Sequence, residues 1–77
     1  MRTRNLQPKF DGKKIADKRR ERGLSQAELS DAVGLTRYQI IRIEKGESGS
    51  FDSLRTICRK LEMPMTDVFE ADTPVHV

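Results

Sequence analysis

Four residues in the middle of the chain, Arg37, Tyr38, Ile41 and Arg42, have side chains suited to contacts with nucleic-acid bases. An arginine can donate two hydrogen bonds to guanine, and an aliphatic side chain can contact the methyl group of thymine. Their spacing places them on one side of an α-helix. Arg and Tyr can also occur on a surface helix by chance, but an exposed β-branched residue between two arginines indicates a partner surface, of nucleic acid or protein.

Phosphate contacts are expected where helices begin, because the free N–H groups and the helix dipole favour anions there. Gln26 is predicted to be the first residue of the second helix, and Ser48 and Ser50 precede the fourth. Thr36 and Lys45, at the two ends of the third helix, complete this set. Such contacts would fix the register of a nucleic acid without reading its sequence.

Catalytic and metal-binding chemistry finds little support in the sequence. His76 is the single histidine, Cys58 lies in an apolar pattern, and a zinc site needs more ligands than these. Glu44 and Glu47 are interpreted as charges at a helix end and in a loop. We therefore predict a protein that is not an enzyme and uses no metal and no cofactor.

Two short helices joined by a tight turn are predicted to carry these residues. Ser25 with Glu28, and Thr36 with Gln39, have the spacing of the capping box that begins a helix. Gly34 falls where the first of the two helices must end and the chain must turn. Two capped helices with about three residues between them are typical of a helix-turn-helix.

Three further helices are predicted around this pair. The five predicted helices are Gly12 to Arg22, Gln26 to Val33, Arg37 to Lys45, the residues after Ser50 to about Glu62, and a short last helix from Thr66 to Glu70. The widest apolar face belongs to the fourth helix and consists of Phe51, Leu54, Ile57, Cys58 and Leu61. Cys58 is therefore predicted to be a core residue rather than a nucleophile.

The length of 77 residues predicts one domain, from 10 to 71, with a flexible basic arm at 1–9 and a tail at 72–77. Residues 1–22 contain nine basic and three acidic residues, whereas residues 23–77 contain six and nine. A basic N-terminal third suggests a polyanion partner, although charged runs are often only solvated surface. The single cysteine and the absence of a secretory or membrane-spanning apolar run predict a cytoplasmic protein.

Three stretches of the sequence together resemble the phage repressor/Cro class of helix-turn-helix proteins, also called the XRE family. They are RRERGLSQAEL from Arg19, VGLTRYQIIRIEKG from Val33 and SFDSLRTICRKLEMPMTDVF from Ser50, and the resemblance covers about three-quarters of the chain. It implies an all-α, compact five-helix lambda-repressor-like bundle. It also implies binding to operator sites in double-stranded DNA, usually as a homodimer on a near-palindromic site.

The resemblance also implies roles for individual residues. The base-reading positions match Arg37, Tyr38, Ile41 and Arg42, and Gln26 matches a contact to the DNA backbone. Arg19 and Glu44 match an ion pair between the first helix and the end of the third, with the arginine also near a phosphate. If that pair is partly exposed, its net contribution to stability is expected to be at most about 1 kcal/mol.

Two positions depart from the family pattern, and both can be checked in a structure. Ser30 replaces an alanine beneath the turn, and its hydroxyl needs a backbone acceptor. Glu62 replaces a glycine after the fourth helix, so a different conformation is expected for that helix end.

The leading hypothesis is a sequence-specific transcriptional regulator, most simply a repressor that occupies a promoter. Alternatives with the same fold are an antitoxin that also binds a toxin, and a restriction–modification controller. A competing class is a protein-interaction module without DNA binding. The dimer contact is predicted around Met63, Met65, Val68 and Phe69.

Overall fold

A computed structural model describes residues 9–69, and within that range the chain forms four α-helices and no strand. The elements are α1 (Gly12–Glu21), α2 (Gln26–Val33), α3 (Arg37–Glu44), α4 (Phe51–Leu61) and a 3-10 turn (Met65–Asp67). The all-helical prediction is confirmed, and three helices end one residue earlier than predicted, within the usual uncertainty of helix ends. None of these helices is long and apolar enough to cross a membrane. The predicted N-terminal arm and C-terminal tail lie largely outside the described residues.

Each α-helix begins with a side chain that accepts a backbone N–H of the first turn. The four caps are Asp11, Ser25, Thr36 and Ser50. In α2 and α3 the third helical residue also accepts the N–H of the cap residue, so both predicted capping boxes are present. Satisfying these donors locally fixes where each helix starts.

All four α-helices also end in the same way. The chain leaves each helix through a residue with positive φ, and these residues are Gly23, Gly34, Gly46 and Glu62. The N–H of the following residue then donates to the carbonyl five residues back, at 2.9 to 3.1 Å. This is the Schellman geometry, in which glycine is favoured because it has no Cβ. The expectation of a different conformation at Glu62 is wrong, since Glu62 adopts the left-handed conformation at φ 58° without being glycine.

Replacing Glu62 by glycine is therefore expected to raise the free energy of unfolding by about 0.5–1 kcal/mol. A left-handed conformation costs a residue with Cβ roughly 1–2 kcal/mol, and glycine avoids most of that cost. The change also removes the ion pair from Glu62 to Arg22 at 3.2 Å. That pair is exposed and is worth at most about 1 kcal/mol. Urea unfolding of the two proteins measures the difference.

Glu62→Ala is the control, because alanine keeps the left-handed strain and also loses the ion pair. It should be no more stable than the parent protein. If alanine and glycine at this position gave equal stability, the strain at Glu62 would not be the cause.

All four α-helices and the segment after the 3-10 turn contribute to one core. Its fully buried side chains are Ile15, Leu29, Ile40, Leu54, Ile57, Leu61, Val68 and Cys58. The prediction that Cys58 is a core residue is confirmed, since 1% of it is exposed. Burial, and to a smaller extent the Asp67 carboxylate, raise the pKa of the Cys58 thiol. The thiol is therefore protonated and unreactive at neutral pH.

The predicted fifth helix, Thr66 to Glu70, is not an α-helix: within the described residues the segment is the short 3-10 turn after Pro64. The main chain of the next residues is already engaged elsewhere. The carbonyl of Val68 accepts the N–H of Asp11 at 2.7 Å, and Phe69 forms an isolated antiparallel bridge with Phe10. Within the turn, Asp67 and Val68 donate to the carbonyls three residues back, those of Pro64 and Met65, which is the 3-10 pattern, and the Val68 carbonyl is committed to the N-terminal segment.

Phe51 is predicted to lie on the apolar face of α4, but the structure does not bury it there. It is the first residue of the helix and is 60% exposed, because the buried part of α4 begins one turn later at Leu54. Its ring lies 5.3 Å from the ring of Phe69, which is half-buried. The two rings form an aromatic pair at the surface.

Candidate nucleic-acid interface

The helix-turn-helix consists of α2, α3 and the three residues between them. Gly34 turns the chain at φ 75°, and Leu35 returns its N–H to the carbonyl of Ser30 at 3.0 Å. Leu29 of α2 and Ile40 of α3 are fully buried in the common core. Ser30 is also buried, and its hydroxyl donates to the carbonyl of Ala27 at 2.8 Å, which confirms the predicted backbone acceptor.

One side of α3 is inside the protein and the other is open. Ile40 and Ile43 are buried, whereas Arg37 and Tyr38 are exposed and Ile41 is half-buried. Tyr38 is 64% exposed, the largest value among the large hydrophobic residues of the described range. No part of residues 9–69 therefore covers the face that carries the predicted base-reading side chains.

Arg42 is held between two neighbours on this open face. Its Nη1 donates to the Tyr38 hydroxyl at 3.2 Å, and its guanidinium carbon lies 5.7 Å from the centre of the Tyr38 ring. On the other side, Nε lies 3.7 Å from Oε1 of Glu47. Tyr38, and less strongly Glu47, raise the pKa of Arg42, so the guanidinium is charged at every accessible pH. The side chain is still 40% exposed.

A buried polar network fixes the C-terminal end of α3, at Glu44. Nε of Arg19 donates to Oε2 of Glu44 at 2.6 Å, and Nη2 donates to Oε1 at 3.3 Å. Arg19 Nη1 also donates to the carbonyl of Leu24 at 2.8 Å, and Gln26 Nε2 donates to Glu44 Oε1 at 3.0 Å. The side chains of Arg19 and Glu44 are 9% and 7% exposed. A bidentate ion pair of this kind fixes the relative orientation of its partners as well as adding interaction energy. Together with the Leu24 and Gln26 contacts, this pair links α1, α2 and α3.

The N-terminal end of α1 contacts the C-terminal end of α3. A Cβ at Gly12 would lie 2.0 Å from the carbonyl oxygen of Ile43 and 2.7 Å from that of Glu44. Only a residue without Cβ allows this approach. Gly12 and the Arg19–Glu44 pair therefore fix α3 relative to α1 at two points.

The predicted phosphate-binding residues lie at the helix ends, and several are engaged within the protein. The hydroxyls of Thr36 and Ser50 accept N–H groups of α3 and α4 as caps, and the Gln26 amide donates to Glu44. Lys45 is exposed as the C-cap of α3, and Ser48 is half-buried in the following loop. They lie at the ends of three different helices and in one loop, and in the described range no hydrogen bond joins them to one another.

Two residues that matter for this geometry, Gly12 and Glu47, were not singled out by sequence reasoning. The sequence predicts Gly12 only as the first residue of α1, because its contact with α3 is tertiary. Glu47 was interpreted as a loop charge. It directly follows the positive-φ glycine of a Schellman motif, a position that commonly contacts the residue five places earlier, here Arg42. That spacing is a signal by which Glu47 can be found.

No candidate metal site is found in the described range. Residues 9–69 contain no group of three or more His, Cys, Asp or Glu side chains placed to hold a metal ion. The buried Cys58 thiol is not accessible to a substrate. The single histidine, His76, lies outside these residues.

Solved structures of gene regulators are similar to this chain. The DNA complex of SinR, a master regulator for biofilm formation, matches 71% of this chain and 90% of its own, with 24% identity and a TM-score of 0.66. The restriction–modification controller C.AhdI from Aeromonas hydrophila matches 73% and 86%, with 24% identity and a TM-score of 0.67. At these identities the likeness establishes the fold.

A third structure has higher identity over a smaller part of its length. PlcR from Bacillus thuringiensis, solved with the peptide PapR7 and DNA, is 35% identical over 73% of this chain, with a TM-score of 0.66. This chain corresponds to 20% of PlcR.

No match is found among curated proteins. A family model described as helix-turn-helix matches residues 15–68, which is more than half of the chain. The chain therefore belongs to the XRE-type helix-turn-helix family.

Proposed function

We propose that this protein is a sequence-specific DNA-binding transcriptional regulator that places α3 in the major groove. The observation that carries the proposal is the open face of α3. It carries Arg37, Tyr38, Ile41 and Arg42, and the buried Arg19–Glu44 pair fixes the helix on its other side. The major groove of B-DNA accommodates an α-helix, and residues near the start of a recognition helix meet the base edges. The DNA complexes of SinR and PlcR support the same use of the fold.

Each residue of the open face has a distinct part in this proposal. Arg37 and Arg42 donate to guanine, or Arg37 to a nearby phosphate, and Ile41 contacts a thymine methyl group. Tyr38 donates its hydroxyl to a base or a phosphate. One bidentate arginine–guanine contact discriminates against other bases by roughly 1–3 kcal/mol.

Phosphate contacts come from the residues around that face. The free amides at the starts of α2 and α4 are anion sites, with Gln26 and Ser50 beside them, and Thr36, Lys45 and Ser48 lie near the ends of α3. Arg19 was predicted to touch a phosphate as well. Its side chain is 9% exposed, and all three of its side-chain nitrogens donate within the protein. We therefore assign Arg19 to the support of α3.

Selection from random duplex DNA tests the proposal. The parent protein is expected to enrich a defined sequence, and the variant Arg37→Ala/Arg42→Ala is expected to enrich none, because both arginines of the open face are absent. The matched control is Arg55→Ala/Arg59→Ala, which removes two exposed charges from α4 instead. It should enrich the parent sequence. An identical sequence preference in the parent and in the α3 variant would contradict the proposal.

We further propose that the protein binds as a homodimer and represses by occupying a promoter. Two recognition helices about 34 Å apart would contact successive major-groove faces. The dimer contact predicted at Met63 and Val68 is wrong in part, since both are buried in the core of one subunit. The aromatic pair of Phe51 and Phe69 offers exposed apolar surface instead.

Sedimentation of the parent protein and of Phe51→Ser tests the dimer. The parent should form a dimer at micromolar concentration, and the variant should remain a monomer with unchanged helix content. A parent protein that is a monomer with and without its DNA site would contradict dimerisation. An antitoxin or a restriction–modification controller would bind DNA in the same way, and the genes adjacent to this one distinguish them from a stand-alone repressor.

A further inference from the structure

Arg42 and Arg37 occupy very different surroundings, although both are arginines on the open face of α3. In the described part of the chain, the Arg37 side chain makes no hydrogen bond or ion pair. Arg42 donates to Tyr38 and faces Glu47, so its guanidinium is oriented before any ligand arrives. A side chain that is already ordered loses less conformational entropy on binding than a free one.

The contacts of Arg42 leave N–H donors free on both terminal nitrogens of its guanidinium, Nη1 and Nη2. A guanidinium has five N–H donors, and a bidentate contact uses one from each of two nitrogens. Tyr38 takes one donor on Nη1 and Glu47 faces Nε, at 3.2 and 3.7 Å. Donors therefore remain on both terminal nitrogens, the arrangement that fits O6 and N7 of guanine.

Glu47 is held in place by the backbone as well as by charge. Its N–H donates to the carbonyl of Arg42 at 2.9 Å, and Gly46 between them adopts φ 76°. The backbone of Glu47 is therefore fixed to that of Arg42, and its carboxylate, which is 50% exposed, lies 3.7 Å from Nε of Arg42. A negative charge beside a DNA-binding face repels phosphates, so its presence there needs a compensating role.

We propose that Arg42 is the principal guanine-reading side chain, and that Tyr38 and Glu47 are positioning residues that hold its guanidinium in the reading orientation. Arg37 then contributes mainly to affinity that does not depend on sequence. The inference rests on the proposed DNA binding and assigns that site a ligand chemistry, the N7 and O6 edge of guanine.

The test begins with the DNA sequence that the parent protein enriches from random duplexes. If no sequence is enriched, the proposed function itself fails. If one is enriched, each guanine in turn is replaced by 7-deazaguanine, which keeps base pairing and removes the N7 acceptor. At one guanine of each half-site the replacement should weaken binding of the parent about tenfold, within the range expected of a bidentate contact. The same replacement should not affect Arg42→Ala.

Glu47→Gln and Tyr38→Phe then test the positioning roles. Each should reduce the discrimination between guanine and 7-deazaguanine about threefold to tenfold, which is the scale of ordering one long side chain. For Glu47→Gln, binding to unrelated DNA should stay equal or become tighter, because a repulsive charge is lost. Lower discrimination with undiminished non-specific affinity is a signature that a general loss of structure cannot produce.

Glu21→Gln is the matched control, since it makes the same charge change on an exposed carboxylate of α1 and should leave the discrimination unchanged. The inference is overturned if Arg37→Ala, and not Arg42→Ala, abolishes the 7-deazaguanine effect. It is also overturned if Glu47→Gln and Tyr38→Phe both discriminate as well as the parent.

Discussion

Replacing Glu44 by alanine is expected to lower the free energy of unfolding by about 3–5 kcal/mol. The change leaves the Arg19 guanidinium buried without its counter-charge, and it also removes the acceptor of the Gln26 amide. A domain of this size has a total stability of about 4–12 kcal/mol, so the variant should lose roughly a quarter of that stability at the upper end of the range and all of it at the lower end. Urea or thermal unfolding followed by circular dichroism measures the loss.

Two further variants separate the buried charge from other causes. Glu21→Ala removes an exposed carboxylate that pairs with Lys18, and it should change stability by less than about 1 kcal/mol. Arg19→Met/Glu44→Leu removes both buried charges, and it should recover most of the stability lost by Glu44→Ala. A cost of 1 kcal/mol or less for Glu44→Ala would mean that the Arg19–Glu44 pair behaves as an exposed one, which contradicts its burial.

Replacing Gly12 by alanine is expected to cost about 3 kcal/mol. At a helix position, alanine normally stabilises by up to about 1 kcal/mol relative to glycine. Here its Cβ would lie 2.0 Å from the carbonyl oxygen of Ile43, so the backbone of α1 or α3 must move. Overpacking of this kind costs roughly 1–3 kcal/mol or more, and a carbonyl group cannot rotate away as a side chain can. Urea unfolding measures the loss.

Lys13→Ala is the matched control, because Lys13 is the next residue of α1 and is exposed. It should change stability by about 0.5 kcal/mol or less. Gly12→Ala should also shift the backbone amide resonances of α3, whereas Lys13→Ala should not. A neutral or stabilising effect of Gly12→Ala would show that α1 and α3 do not approach as closely as described.

The helices of this protein could be predicted well from the sequence because their signals are local. Ser25 and Thr36 identify two helix starts, and Gly34 identifies the turn between them. These residues act through hydrogen bonds within three to five positions, which a sequence displays directly. The open face of α3 follows from the same information, because its apolar residues Ile40 and Ile43 must lie inside.

Features that depend on distant contacts could not be predicted in the same way. The Val68 carbonyl pairs with the N–H of Asp11, and those residues are 57 positions apart in the sequence. The burial of the Arg19–Glu44 pair is likewise a tertiary property. Glu62 adopts a conformation that its residue type disfavours, because the end of α4 and its contact with Arg22 determine it.

The salt dependence of binding to the selected DNA tests the central claim most directly. If α3 and the surrounding helix ends contact six or more phosphates, the plot of log affinity against log salt should have a slope of about −5 or steeper. Affinity should then fall by about three orders of magnitude or more between 50 and 200 mM salt. An interaction module that associates through apolar surface would show almost no change over that range. A flat salt dependence would contradict the assignment of the α3 face to DNA.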